Sequence, residues 1–280
     1  VNKSGAMIFF DAASPVQFQG TDQLETSLGT KLTIGDGGLF TQPMQQVINT
    51  ETSYEYASCQ NRQSVINTPA GLYWVSQNQG KIFTMTGQGL KEVSNINMKW
   101  WFNQFLPYKI VEDFPDFELL DNPVVGVGCQ SMYDNENGLL YFCKKDYKLK
   151  ADFLPTDFAY LGGYKFTYIH TGLTVELGDP LFFDDASWTI SYDPKTEGWL
   201  SYHDWHPSLN MPGKNTFMTI SPKDLKSIWI HNERCDLYCN YYDDNYPFEV
   251  EFRVNTGQTV NSLRSIEYIM EAYKYAPNCY

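Results

Sequence analysis

The chain has 280 residues, with 20 Lys+Arg against 33 Asp+Glu for a formal net charge of −13, and is 42% apolar and 16% aromatic. That much apolar and ring surface can build a core, which excludes wholesale disorder. No apolar run, the longest lying near Val124–Cys129, approaches the roughly 18 residues of a spanning helix. The charge sign also excludes a protein that coats nucleic acid, because phosphate affinity comes from clustered Lys and Arg.

The chain opens at Val1-Asn2-Lys3, without an initiator Met or a basic region leading into an apolar stretch, and closes at Cys279-Tyr280. No signal peptide is visible, and both ends are expected to be cuts in a longer polypeptide. Residues 1–53 are expected to form an N-terminal extension with connecting strands, 54–246 a body of repeated hairpins, and 247–280 a C-terminal β-hairpin.

Four hairpins are predicted in chain order. Gly71–Ser76 and Lys81–Thr86 flank Gln77-Asn-Gln-Gly80, and Val124–Tyr133 and Leu139–Cys143 flank Asp134-Asn-Glu-Asn-Gly138. Ser187–Tyr192 and Trp199–Tyr202 flank Asp193–Gly198, and Thr216–Ile220 and Ser227–His231 flank Ser221–Leu225. In the second and third, Asp supports an Asx-type turn and Gly supplies positive φ at the exit. The period is irregular, so an all-β fold with β-propeller-like repeated antiparallel hairpins, insertions and a few short helices is expected. A meandering β-sandwich satisfies the same pattern.

Between hairpins, Trp100-Trp101-Phe102 and Phe105-Leu106 predict a short helix that Pro107 and Pro115 interrupt. Pro207–Gly213 reads as a loop. Phe248, Val250, Phe252 and Val254 alternate with Glu249, Glu251 and Arg253, a strand that Asn255-Thr-Gly257 turns towards a second over Ser262–Lys274.

Six cysteines (59, 129, 143, 235, 239, 279) are sparse for a chain that can bury a core. They are expected to be mostly reduced, with folding in an intracellular compartment. His231, Cys235 and Cys239 stand as His-x3-Cys-x3-Cys, which on a helix would offer three zinc ligands on one face. The flanking residues read as strand or loop and supply no fourth ligand, so core or edge cysteines are the simpler reading. The adjacent acids Asp184-Asp185 and Asp243-Asp244 fit solvated turns better than a hydrolytic dyad, whose carboxylates flank a bond. His203-Asp204-Trp205-His206 could hold a ligand, but reads first as a loop whose rings cover the core edge. Ile34-Gly-Asp-Gly-Gly-Leu39 lacks the strand-to-helix setting of a phosphate loop. No catalytic, cofactor or metal residue is assigned; ring-rich loops leave glycan binding open, with glycan cleavage behind it.

Several segments carry a resemblance. Cys59–Ser76 continuing to Gln79-Gly-Lys-Ile-Phe83, Trp188–Trp205, Pro247-Phe-Glu-Val-Glu-Phe252 and Leu263–Tyr268 look like parts of large bacteriophage tail proteins. The family is similar to the tail muzzle or nozzle proteins of crAss-like short-tailed phages of gut Bacteroidota, with the likeness scattered over residues 34–275. The resemblance implies a non-enzymatic subunit of a propeller-like ring around the DNA exit channel, serving tail assembly and DNA ejection. Its implied partners are other tail proteins, further copies of itself in a homo-oligomeric ring, and other fragments of the same polypeptide. DNA would pass without specific binding, in a virion tail made in the host bacterial cytoplasm. Family members are much longer than 280 residues, which implies a piece of a longer chain.

Overall fold

Short β-rich runs separated by turns that bear Asp, Asn and Gly favour antiparallel meanders over parallel crossovers. The computed structural model describes residues 56–213, 216–231, 239–247 and 249–250, together with six strands before residue 50. The fold is all-β, with two short helices, Lys99–Phe105 and Lys109–Asp113, and three 3-10 turns among the described residues. No helix among them is long and apolar enough to cross a membrane.

The N-terminal strands Asn2–Lys3, Ala6–Phe10, Pro15–Gln19 and Gln45–Gln46 form one antiparallel sheet, and Asp22–Glu25 pairs with Lys31–Ile34. Three larger meanders follow. The first runs Ile66–Asn67, Leu72–Ser76, Lys81–Thr86 and Gly89–Glu92. The second runs Gly128–Asp134, Leu139–Lys145, Trp188–Asp193 and Gly198–His203. The third runs Leu209–Pro212, Phe217–Ile220 and Ile228–Ile230.

All four predicted hairpins exist, but the second and third are halves of one sheet. Leu139–Lys145 pairs with Trp188–Asp193, Phe142 opposite Ile190. The 40-odd intervening residues leave that sheet and return to it. They pair Tyr147–Leu149 with Phe183–Asp185 and fold Phe158–Gly162, Lys165–Tyr168 and Leu173–Glu176 into a small sheet. Its inward rings, Phe158 and Phe166, gather with Phe114, Phe182 and Phe183.

The meanders stack through opposite faces of their strands, as period-two side chains require. In the first, Leu72, Trp74 and Phe83 pack with Ile8 and Ala57 on one side. Tyr73, Val75 and Ile82 join the main core on the other, where the second meander contributes Cys129, Leu140, Phe142, Ile190 and Tyr192. The opposite face of the second meander, Met132, Tyr141 and Cys143, packs with Trp205 and with Phe217 of the third. The helix Lys99–Phe105 covers the main core, with Phe102 against Trp199 at 4.7 Å between centroids. A bulge between Ile190 and Tyr192 places both Trp199 and Tyr202 opposite partner residues separated by one position, so both rings reach the helix.

Turn chemistry is local and legible, with one exception. Asp134 Oδ1 accepts the N–H groups of Glu136 and Asn137, and Gly138 has φ 71°. Asp193 likewise accepts Lys195 N–H at 2.8 Å, but there Glu197, not Gly198, takes the left-handed conformation, with φ 52°. Pro207–Gly213, read as a loop, contains the strand Leu209–Pro212 because its backbone pairs with the next strand, Phe217–Ile220, in a hairpin.

At the junction of helices, second meander and insertion lies a fully buried ion pair, Lys144 Nζ to Asp146 Oδ2 at 2.7 Å. Lys144 Nζ also donates to the carbonyls of Phe105 (2.9 Å) and Pro107 (2.8 Å). Asp146 accepts the backbone N–H of Lys109 at 2.6 Å and of its neighbour Tyr147 at 2.9 Å. Burial pushes the ammonium pKa down while Asp146 pulls it up. Removing one partner strands the other in a dry site, which costs about 3–5 kcal/mol. Lys144→Met and Asp146→Ala are therefore each expected to lower unfolding free energy by about that amount, measured by urea denaturation. Asp146→Ala should be the worse, because it also orphans the Lys109 N–H, and the Lys144→Met/Asp146→Leu double variant should lose less than the two singles together.

Candidate functional site

The Gly128–Asp134 strand is the element that both neighbouring meanders touch. Successive side chains of a strand point to opposite faces, so it can bond in both directions. Towards the third meander, Gln130 Nε2 donates to Pro207 O at 2.8 Å and Gln130 Oε1 accepts Asn210 N–H at 2.9 Å. Towards the first, Ser131 Oγ donates to Ser64 O at 2.9 Å. Cys129 N–H and the Tyr108 hydroxyl both donate to Asn61 Oδ1, at 3.1 and 2.9 Å. The Arg62 N–H reaches Asp121 Oδ2 at 2.7 Å, closing the seam at its edge. Asn61, Tyr108, Cys129, Gln130 and Ser131 are buried and specific in geometry, so they fix how one sheet sits on the next. Sequence reading missed them because an isolated Gln or Asn carries no pattern.

The structure disperses the sequence candidates. Asp184 and Asp185 end a short strand rather than a loop; Asp184 lies 3.9 Å from Lys148, and Asp185 accepts Ser187 N–H. Asp243 lies in a left-handed turn and Asp244 pairs with Lys223. Of the His-x3-Cys-x3-Cys run, His231 is buried against Phe217 and shares a 2.7 Å hydrogen bond with Thr219, and Cys239 is exposed. Cys235, Cys279 and most of the C-terminal hairpin over 247–280 lie outside the described residues. Among the described residues no cluster of three His, Cys, Asp or Glu could hold a metal, and cysteines 59, 129, 143 and 239 are free thiols. Burial pushes the Cys129 thiol up to about 12 and Cys59 and Cys143 to about 11, which makes them inert hydrophobes at neutral pH.

The His203-Asp204-Trp205-His206 loop is a core-edge cover. Trp205 is 2% exposed and stacks on Tyr241 at 4.4 Å, so its ring has no face left for a ligand. Thr189 Oγ1 donates to Trp205 O at 2.8 Å and contacts His206 Nδ1, and His203 Nε2 bonds Ser191 Oγ at 3.0 Å.

Burial lowers the pKa of His203 and of His231 to about 4. Between their unfolded value near 6.5 and 4 the unfolded chain therefore binds more protons, and stability falls as pH drops. Thermal melts are expected to be level with respect to these groups above about pH 6.5 and to decline from there towards pH 4. His231→Gln, which keeps a donor and acceptor for Thr219, should reduce that slope; an unchanged slope would assign the loss to other groups.

No curated protein matches the chain. A model of the crassvirus muzzle proteins matches residues 7–151, which run from the N-terminal sheet through the first meander and both helices to the start of the insertion. The match covers the Asn61–Tyr108–Cys129 contact and the Lys144–Asp146 pair, together with just over half of the sequence. With that span matched, the chain belongs to the crassvirus muzzle protein family.

Proposed function

We propose that the chain is a non-enzymatic structural subunit of the phage tail, built into a ring at its distal end around the channel through which DNA leaves. Membership of the muzzle family carries this reading. The stacked meanders support it: the first and second each bury both faces against neighbours, an arrangement suited to propeller blades decorated by the insertion over 147–187. A body of residues 54–246 flanked by the segments 1–53 and 247–280 is the corresponding domain division.

The surface supports assembly with further copies and with other tail proteins. Trp100 is 73% exposed on the first helix, and Leu200 and Tyr202 are exposed on the outer strand Gly198–His203, whose Tyr202 ring lies 5.3 Å from Trp101. Exposed aromatic and aliphatic groups beside an open strand edge are where an oligomer contact gains most. The net charge of −13 repels phosphates, which suits a wall along which DNA moves without sticking. Synthesis in the host cytoplasm and incorporation into the virion complete the reading.

Two measurements test it. Mass spectrometry of purified particles should detect peptides of this chain, and light scattering should find a ring-sized oligomer that Trp100→Glu with Leu200→Glu converts to monomer without lowering the melting temperature. A chain that stays monomeric and is absent from particles is not a tail ring subunit. Duplex DNA should show no retardation at about 50 mM salt, where cationic binders are at their tightest.

A further inference from the structure

The insertion over 147–187 carries an apolar surface that the tail-ring reading leaves unassigned. Leu154, Ile169, Leu173 and Leu181 are each between 51% and 70% exposed. The fold gathers them. Leu154 N–H donates to Asp157 Oδ2 at 3.0 Å and Ile169 N–H to Asp157 O at 2.8 Å, so both flank one turn. Leu173 begins its strand opposite Tyr168. Leu181 precedes Phe182, whose ring lies 5.4 Å from Tyr168 and 5.1 Å from Phe153. A cluster of Phe153, Phe158, Tyr168 and Phe182 thus supports four aliphatic side chains that stand largely in water. An exposed apolar group of this kind marks a contact surface.

Two observations say what covers it. The chain bears a second exposed apolar face, Trp100 with Leu200 and Tyr202. Trp101 and Trp188 pack together at 5.0 Å beside it, and among the described residues neither touches a ring of the tip. Two unlike apolar faces on one chain are what a head-to-tail contact between copies requires, whereas a two-fold contact uses one face twice. The charges match as well. Lys99, beside Trp100, and Asp152, two residues before Leu154, are both exposed, and neither is in an ion pair among the described residues. Another exposed group, Leu225, Ile228 and Ile230, offers no exposed ring, and its Lys226 shares a turn with Asp224, which accepts the Lys226 N–H at 3.0 Å. An anionic lipid surface is disfavoured by the net charge of −13 and by Asp152, Asp157 and Asp179 around the tip. We propose that the insertion tip docks on the Trp100–Leu200–Tyr202 face of a second copy of this chain, with Asp152 opposite Lys99. This rests on the tail-ring reading and names the two faces by which successive copies join.

Complementation between variants tests it, read by analytical ultracentrifugation, with melting temperature as the control for folding. Leu154→Glu with Leu181→Glu should abolish association of the 280-residue chain, as Trp100→Glu with Leu200→Glu is expected to do. An equimolar mixture of the two double variants should then form a heterodimer and nothing larger, because each retains one working face. Lys99→Glu and Asp152→Lys should each raise the dissociation constant about tenfold by setting like charges opposite, and both changes in one chain should restore it. If the tip variant unfolds, this charge exchange decides. A tip variant that assembles as well as the unaltered chain, as when another tail protein covers the tip, overturns the contact and leaves the ring reading standing on a different interface. A mixture that stays monomeric overturns it too. An unaltered chain that is itself monomeric removes the ring reading, and this contact with it.

Discussion

The Lys144–Asp146 pair is the constraint on which the rest of the molecule rests. Two charges out of water are costly, and they are tolerated only when every remaining donor and lone pair is used. Here the lysine spends its other protons on the Phe105 and Pro107 carbonyls, the last of one helix and the link to the next. The aspartate spends its oxygens on the start of the second helix at Lys109. Phe105 O also receives the Trp188 indole at 3.0 Å, and Asp146 O receives the N–H of Ala186. The pair therefore clamps three things at one point: the helix pair, the exit of the insertion after Lys145, and its return at Trp188. A long excursion can leave a sheet and rejoin it in register only if both stems are held, and the ion pair is what holds them.

From that fixed point the stacking of sheets follows. Apolar burial is non-directional, so it presses sheets together without choosing their register. The choice falls to the few polar groups between them: Gln130 towards the third meander, Asn61 and Ser131 towards the first. Each would carry a desolvation cost if the sheets slid by a residue, so slippage is opposed by unpaired amides as well as by lost packing.

Much of this architecture was legible in the sequence, and what was not has a common cause. Alternating β-rich runs and Asp or Gly turns marked four hairpins of the body, because strand and turn chemistry are local. The helix over Lys99–Phe105 and its stop before Pro107 were equally local. What failed was long-range. Nothing near residue 145 reveals that the chain will return to the same sheet at Trp188, so one meander looked like two copies. Pro207–Gly213 has loop composition, yet Leu209–Pro212 pairs with Phe217–Ile220, and Gln130, far upstream, holds that strand through the Asn210 N–H. No local signal in Lys144-Lys145-Asp146 shows that the fold turns Lys144 and Asp146 inward. Trp205, read first as a ring covering the core edge, is buried as that reading has it.

The charge acquires a sharper meaning from the same contacts. Lys81, Lys91, Lys109, Lys148, Lys165 and Lys223 each stand beside a carboxylate, and Lys144 is buried with one. Lys145 and Lys150 donate to the carbonyls of Val124 and Pro180. These nine described lysines are thus engaged with acids or backbone and scattered over sheets and helices. An excess of 13 acids then sets the sign of the net charge. An acidic surface repels a phosphate backbone that comes within a Debye length, about 10 Å at 0.1 M salt. Electrostatic adhesion needs local clustering of Lys and Arg rather than their mere presence, so local pairing of these nine lysines works in the same direction as the net charge.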